Sequence, residues 1–315
     1  METTIEAAPP AAPQPTTAEK IRKLPWALFA AGTNTVFAQF TVMGSVFILF
    51  LNSLGLSKTS IGLLLSFFPF FGLTALFTAP AVARFGYKRT YLTFWTARKF
   101  MTAGLLLTPW VLATFGTAAA SVFVGALVAG FAICRAIGET GSYPWIQEYI
   151  PASVRGKYSA SENTIGTLAS LAAVAAAGYV IGHVPGINGF MLLLAVGVVF
   201  GLLSVWGTSH LPGGAAIRGP VDARPLRERL AEPARNRDFR LYLFGAGLLT
   251  LVWTPLGSFL PLFMHDQVGL SDSQVVLLQT GTFVGGLVSA YVWGWAADRY
   301  GSRPVMLSCA RWRSG

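Results

Sequence analysis

The 315-residue sequence predicts an all-α membrane protein, a bundle of transmembrane helices, on three observations. Hydrophobic residues fill 53% of positions and charged residues only 11%, with a mean hydropathy of +0.57, far more apolar than an ordinary soluble domain. Apolar runs of bilayer-crossing length recur along the chain, parted by turn residues and charge. Lysine and arginine gather in alternate connections between those runs. The net charge of +10 would by itself also suit nucleic acid. The basic residues form short clusters between apolar runs rather than one continuous face, so no nucleic acid is expected as a partner and a lipid bilayer is.

Residues 1–24 open with METTIEAAPPAAPQPTTAE, rich in Pro, Ala and Thr and without a basic-then-apolar signal sequence, and are expected to form a disordered cytoplasmic tail. A helix needs about 20 apolar residues to cross roughly 30 Å of hydrocarbon. Eight such runs follow, at about 25–51, 60–82, 91–115, 118–148, 160–182, 188–208, 240–264 and 274–296. The fourth is too long for one straight span, and Pro144 is expected to kink it. With the N-terminus inside, seventeen lysines and arginines face the cytoplasm against Lys58 outside. The loops near 55, 117, 185 and 268 are then external, as expected of a protein of the cytoplasmic membrane. Residues 25–208 form a six-helix half, 209–239 a polar, basic cytoplasmic linker, and 240–315 part of a second half. Cys134 and Cys309 lie in or beside apolar runs without metal-ligand spacing, so neither a disulfide framework nor a metal is expected.

The chain also repeats itself. GS at Gly44 recurs at Gly257, GLS at Gly55 recurs at Gly269, and R-x-G at Arg84 recurs at Arg299, in the same order at nearly one offset. The seventh and eighth spans therefore replay the first and second. GWAADRYGSRP at Gly294–Pro304 and its worn copy APAVARFGYKR at Ala79–Arg89 close the two units. These loops, the paired like-oriented halves and the basic middle connection resemble the major facilitator superfamily of secondary transporters over about 25–304. Gly294, Asp298, Arg299, Gly301, Arg303 and Pro304 carry the second copy. Arg84, Gly86, Lys88 and Arg89 carry the first, in which Ala79 and Ala83 replace the glycine and the acid.

The resemblance implies twelve helices in two halves, of which eight are present, and a cytoplasmic gating role for the loop motif. It implies that Asp298 faces the start of the fifth span near Arg155 and Lys157, a contact that Ala83 cannot mirror; pairing with a loop arginine is the alternative. It also implies that four further helices would follow Pro304, where VMLSCARWRSG ends the sequence. The chain is accordingly expected to be truncated and, as a monomer, incompetent for alternating access.

Arg135 lies near the middle of the fourth span, with Glu139 one turn later on the same face. A charged residue at the bilayer centre costs about 2.5–3.5 kcal/mol, so pairing or a wet cavity has to offset it. Either the pair lines a central cavity, with Arg135 binding anionic or polar solute and Glu139 as partner and proton acceptor, or it is satisfied within itself between helices. RAIGETG partly resembles the helix-four motif of proton-coupled members of the superfamily, with Ile137 in place of the usual glutamine. Asn34, Thr35 and Gln39 in the first span, and Trp253 and Thr254 in the seventh, are further cavity candidates, with hydrogen bonding between helices as the alternative. Arg98 and Lys99 are expected to snorkel towards the cytoplasm, a substrate role for Arg98 being the alternative.

WIQEYIPASVRGKY resembles the superfamily's loop between helices four and five, while TIGTLASLAAVAAAGYVIG lacks the Gly-Pro-x-x-Gly-Gly pattern of drug–proton antiporters. Nucleophile elbows, phosphate-binding loops and His-Glu-x-x-His are absent from the sequence, so an enzyme is not expected, and no cofactor is implied. The expected function is secondary active or facilitative transport of a small polar or anionic solute, with protons as a candidate coupling ion. Efflux of hydrophobic compounds and a non-transporting receptor on the same fold are the alternatives.

Overall fold

The computed structural model describes residues 15–42, 44–216 and 235–300. They form ten α-helices. Thr16 caps α1 (Thr17–Phe40), its hydroxyl accepting from the Glu19 amide at 3.3 Å. Helix therefore begins inside the segment expected to be tail. α1 ends at Phe40 and helix is present again as α2 (Ser45–Ser53), so the first predicted span is two helices. The second span is also divided, into α3 (Lys58–Gly72) and α4 (Thr74–Phe85), with a 47° bend. The bend falls between Pro69 and Pro80, each of which removes an amide from the ladder.

α5 (Tyr87–Gly104) runs through a 3-10 turn into α6 (Thr108–Tyr149). The non-helical residue within α6 is Gly116, at φ 79° and ψ 179°, between the third and fourth predicted spans. The helix continues through Pro144 to Tyr149. Beyond Gly116 the chain comes back along α5. A Cβ on Gly104 would meet Leu127, one on Gly130 would meet Met101, and one on Gly138 would meet Trp95. One number falls as the other rises, which is antiparallel packing with glycines at the closest approaches.

α7 (Arg155–His183) and α8 (Ile187–Ser209) complete the first six spans, and α9 (Arg237–Asp266) and α10 (Asp272–Tyr300) follow. Four helical stretches among the described residues are long and apolar enough to cross a membrane, or five if the bent α3–α4 pair is one span. The eight expected spans map onto these stretches and α9 and α10, because Tyr87–Tyr149 holds two of them.

α8 runs antiparallel to α1, with Gly197 against Phe40 and Thr41, Gly201 against Phe37, and Gly207 against Phe29. α7 runs parallel to α1, with Gly166 near Thr35 and Ser170 bonded to Gln39. α10 runs antiparallel to α7, with Gly182 against Ser273 and Gly178 against Leu277. One apolar core, including Phe37, Phe47, Phe50, Val124 and Leu194, extends to Leu262 of α9 and Val276 of α10.

The first residues of the expected linker are docked. Trp145 Nε1 donates to Pro212 O at 2.9 Å, Gly214 N to Glu148 Oε2 at 2.8 Å, and Lys88 N to Gly214 O at 3.0 Å. Gly214 sits at φ 73°, and a Cβ there would lie 2.7 Å from Lys88, so the tie across the basic end requires glycine. Residues 217–234 lie outside the described residues.

The GLS landmarks of the internal repeat form matching turns. Gly55 and Gly269 both have φ 78°, and the following serine caps the next helix, Ser57 accepting from Ser60 N at 3.1 Å and Ser271 from Gln274 N at 3.3 Å. A Cβ at either glycine would meet nothing within 4 Å, so only the backbone resists replacement. Gly55→Ala and Gly269→Ala should therefore each cost roughly 1–2 kcal/mol. Unfolding in mixed micelles measures this; a much larger loss at one site would mean that the two turns are not equivalent.

Candidate functional site

α1, α5, α6, α7 and α8 enclose a cavity of about 460 Å³ towards the end of the bundle that carries the basic connections. Its polar lining comes from Asn34 and Thr35 on α1, Arg135, Glu139 and Ser142 on α6, Glu162 on α7, and Ser204 and Thr208 on α8. Tyr91, Trp95, Trp145, Tyr149 and Tyr158 supply aromatic walls. The α6 pair is bonded within itself and also lines the cavity. Arg135 Nε meets Glu139 Oε1 at 2.8 Å, and both side chains line the cavity with 28% and 42% exposure. Access to water lowers the desolvation cost that a sealed pair would carry, and the pair still presents donor and acceptor atoms to a solute.

Arg98 and Lys99 do not snorkel. They are 5% and 0% exposed, and both donate to the same acceptor, Asn34 Oδ1, at 2.9 Å each. The Arg98 guanidinium lies 3.3 Å above the Trp95 ring, and Lys99 Nζ lies 3.3 Å above the Phe37 ring. The cause is direction, since this part of α5 faces α1, α6 and α8 rather than the end of the bundle. Gly201 makes the fit possible, because a Cβ there would lie 2.8 Å from Lys99 Cδ and from Phe37.

Asn34 and Thr35 thus join Arg135 and Glu139 at one cavity, while Gln39 lies deeper. Gln39 Nε2 donates to Ser170 Oγ at 3.2 Å, and its Oε1 is buried with no hydrogen-bond partner among the described residues. Thr254 is exposed on α9 and does not line this cavity, and the Trp253 side chain lies outside the described residues. In the first loop motif, Arg84 and Arg89 are exposed, and Gly86 is buried at φ 102° against Gly214 and Ala216. In the second, Gly294 falls within α10 and Arg299 is exposed in its last turn. The Asp298 side chain and Gly301, Arg303 and Pro304 lie outside the described residues. Sequence reasoning missed the aromatic wall, although Tyr91, Trp95 and Arg98 recur at the spacing of one helix face.

At the opposite end α9 and α10 close against α2, α3 and α7. Ser45 Oγ donates to Gln279 Oε1 at 2.8 Å, Ser273 Oγ to Gly178 O at 2.7 Å, and Gly62 admits Phe259. Lys58 Nζ meets Asp266 Oδ2 at 2.7 Å, and His265 bridges Asp266 and Asp272 at 2.8 and 3.3 Å.

Residues 242–311 match the family model described as Major Facilitator Superfamily. No curated protein matches the chain. The matched stretch contains most of α9, all of α10 and the whole GWAADRYGSRP motif. Together with the apolar helices, it supports an integral membrane protein of the transporter type.

Hydrogen bonds from His265 and then Lys58 hold the Asp266 carboxyl below its ordinary value. For a lowered carboxyl, the stabilisation is present above the unfolded value of about 3.9 and is lost as pH falls through the lower folded value. Lys58→Met should lower the thermal midpoint at pH 7, and the gap from the parental protein should narrow as pH falls below about 4. A pH-independent gap, measured by thermal unfolding across this range, would show that the charge pair is not its source.

Proposed function

We propose that this chain, as part of a major facilitator superfamily transporter, binds a small polar or anionic solute in the cavity between α1, α5, α6, α7 and α8, for secondary active or facilitative transport. The observation that carries this reading is the Arg135–Glu139 pair on the wall of a cavity of about 460 Å³. An arginine offers several fixed donors to a carboxylate, phosphate or hydroxyl-rich solute. Its partner at i+4 keeps the charge compensated when no solute is bound and is the candidate proton acceptor if coupling uses protons.

In this reading the basic connections face the cytoplasm, the N-terminus lies inside and the plasma membrane holds the protein, which the excess of lysine and arginine at this end of the bundle supports. The cavity then opens inward, and the Lys58–Asp266 end is the closed external side. Alternating access would require those external contacts to part as the cytoplasmic side closes. The α7–α10 register supports the expected cytoplasmic contact. One step of four along α10, from Ser273 to Leu277, goes four back along α7, from Gly182 to Gly178, and that register extended along both helices would bring position 298 level with Lys157.

Two measurements test the reading. Labelled sugars, organic anions and hydrophobic cations are offered to the chain in proteoliposomes, where one solute class should bind saturably. Arg135→Ala should weaken that binding about tenfold or more while the protein inserts normally. Parental affinity in a well-inserted Arg135→Ala protein would refute the assignment. Uptake by a form carrying both helical halves, compared with binding alone and with chemical conversion, separates a carrier from a receptor and an enzyme.

A further inference from the structure

The cation pair behind the cavity wall is under-compensated. Arg98 Nη2 and Lys99 Nζ each lie 2.9 Å from the one oxygen of Asn34, so the two nitrogens are within about 6 Å of each other and repel. The rings of Trp95 and Phe37 each cover one side of a cation but offer no lone pairs. A guanidinium carries five N–H groups and an ammonium three, and a neutral carboxamide oxygen has only two lone pairs to share between them. Arg98 Nε is buried without a hydrogen-bond partner among the described residues. Two carboxylates line the cavity: Glu139 is engaged with Arg135, and Glu162 lies on α7 beside Tyr158.

Asn34 is also the link to the cavity. It lines the cavity together with Trp95 and Arg135, while its oxygen holds both cations. Both cationic head groups thus converge on one atom of a residue that lines the cavity, and rotation of the Asn34 side chain would vacate the position they share. We propose that Arg98 and Lys99 form an oxyanion subsite for the carboxylate or phosphate head group of the solute, with Asn34 Oδ1 holding the anion's place until solute arrives. This rests on the solute-binding reading above and narrows it: Arg135 and Glu139 meet the body of the solute, and its charged end reaches α5. An oxyanion completes what the carboxamide leaves undone, because it brings full negative charge and several more lone pairs to both donors.

The sharpest variant is Asn34→Asp, nearly the same shape with a built-in negative charge. The test follows thermal unfolding of the purified 315-residue chain in micelles against acetate and inorganic phosphate at constant ionic strength. For the parental protein at least one of the two should raise the midpoint saturably by a few degrees, by mass action on the folded form. Acetate alone indicates a carboxylate site and phosphate alone a phosphate site. Lys99→Met and Arg98→Gln should lose the shift. Asn34→Asp should have a higher midpoint than the parental protein without any added anion and should also lose the shift. General salt effects on folding would persist in all three variants and so are separated from the site.

No saturable rise in the parental protein, or a rise of full size in Lys99→Met or Asn34→Asp, overturns the subsite. The two readings fail differently. If a neutral solute binds and Arg135→Ala destroys that binding while neither anion acts, the subsite falls and solute binding stands. If the anions act as expected while no solute of any class binds, the subsite stands and the transport reading falls.

Discussion

One carboxamide oxygen, Asn34 Oδ1, is shared by two buried cations, and much of the first helical unit is arranged around that sharing. Holding Arg98 and Lys99 away from water demands aromatic faces on α5 and α1, supplied by Trp95 and Phe37. Trp95 needs room against α6, which Gly138 gives, and Lys99 needs room against α8, which Gly201 gives. Four helices thus meet at closely fixed distances because two polar head groups have to be satisfied in an apolar interior. The cavity lies beside this knot and shares Asn34 and Trp95 with it.

The two ends of the bundle are built differently. At the basic end, the Leu211–Ala216 segment ties the α4–α5 turn to the end of α6 through Lys88, Trp145 and Glu148, and the cavity lies nearby. At the other end, side chains of α9 and α10 interlock with α2, α3 and α7, and an ion pair joins the matching turns before α3 and α10. The described residues are therefore packed together at one end and leave a polar-lined pocket towards the other.

Much of the fold was legible because bilayer crossing writes itself into long apolar runs, and turns into glycine. Gly116 separates the third and fourth spans at the predicted place, and the repeated GLS turns share a dihedral angle as well as letters. The Arg135–Glu139 pair was legible from spacing alone, since i and i+4 on one helix have to meet. Arg98 and Lys99 were misread because sequence gives depth along a helix but not which neighbour its face meets. The acceptor that keeps them inside, Asn34, is more than sixty residues away. The bend in α3–α4 had a visible cause in two prolines, whereas the docking of Pro212–Gly214 depends on partners on α5 and α6 that no local pattern names.

The central claim is that the Arg135–Glu139 cavity is an aqueous site open to one side of the membrane and sealed from the other. Its most direct test is labelling with a membrane-impermeant maleimide in a chain whose Cys134 and Cys309 are replaced by serine. Ser142→Cys reports on the cavity wall, and Ser45→Cys on the packed end where Ser45 bonds Gln279. The account predicts that Ser142→Cys reacts from the cytoplasmic face and not from outside, while Ser45→Cys resists reagent from both. A Ser142→Cys protein that reacts only from outside, or from neither face, would contradict it.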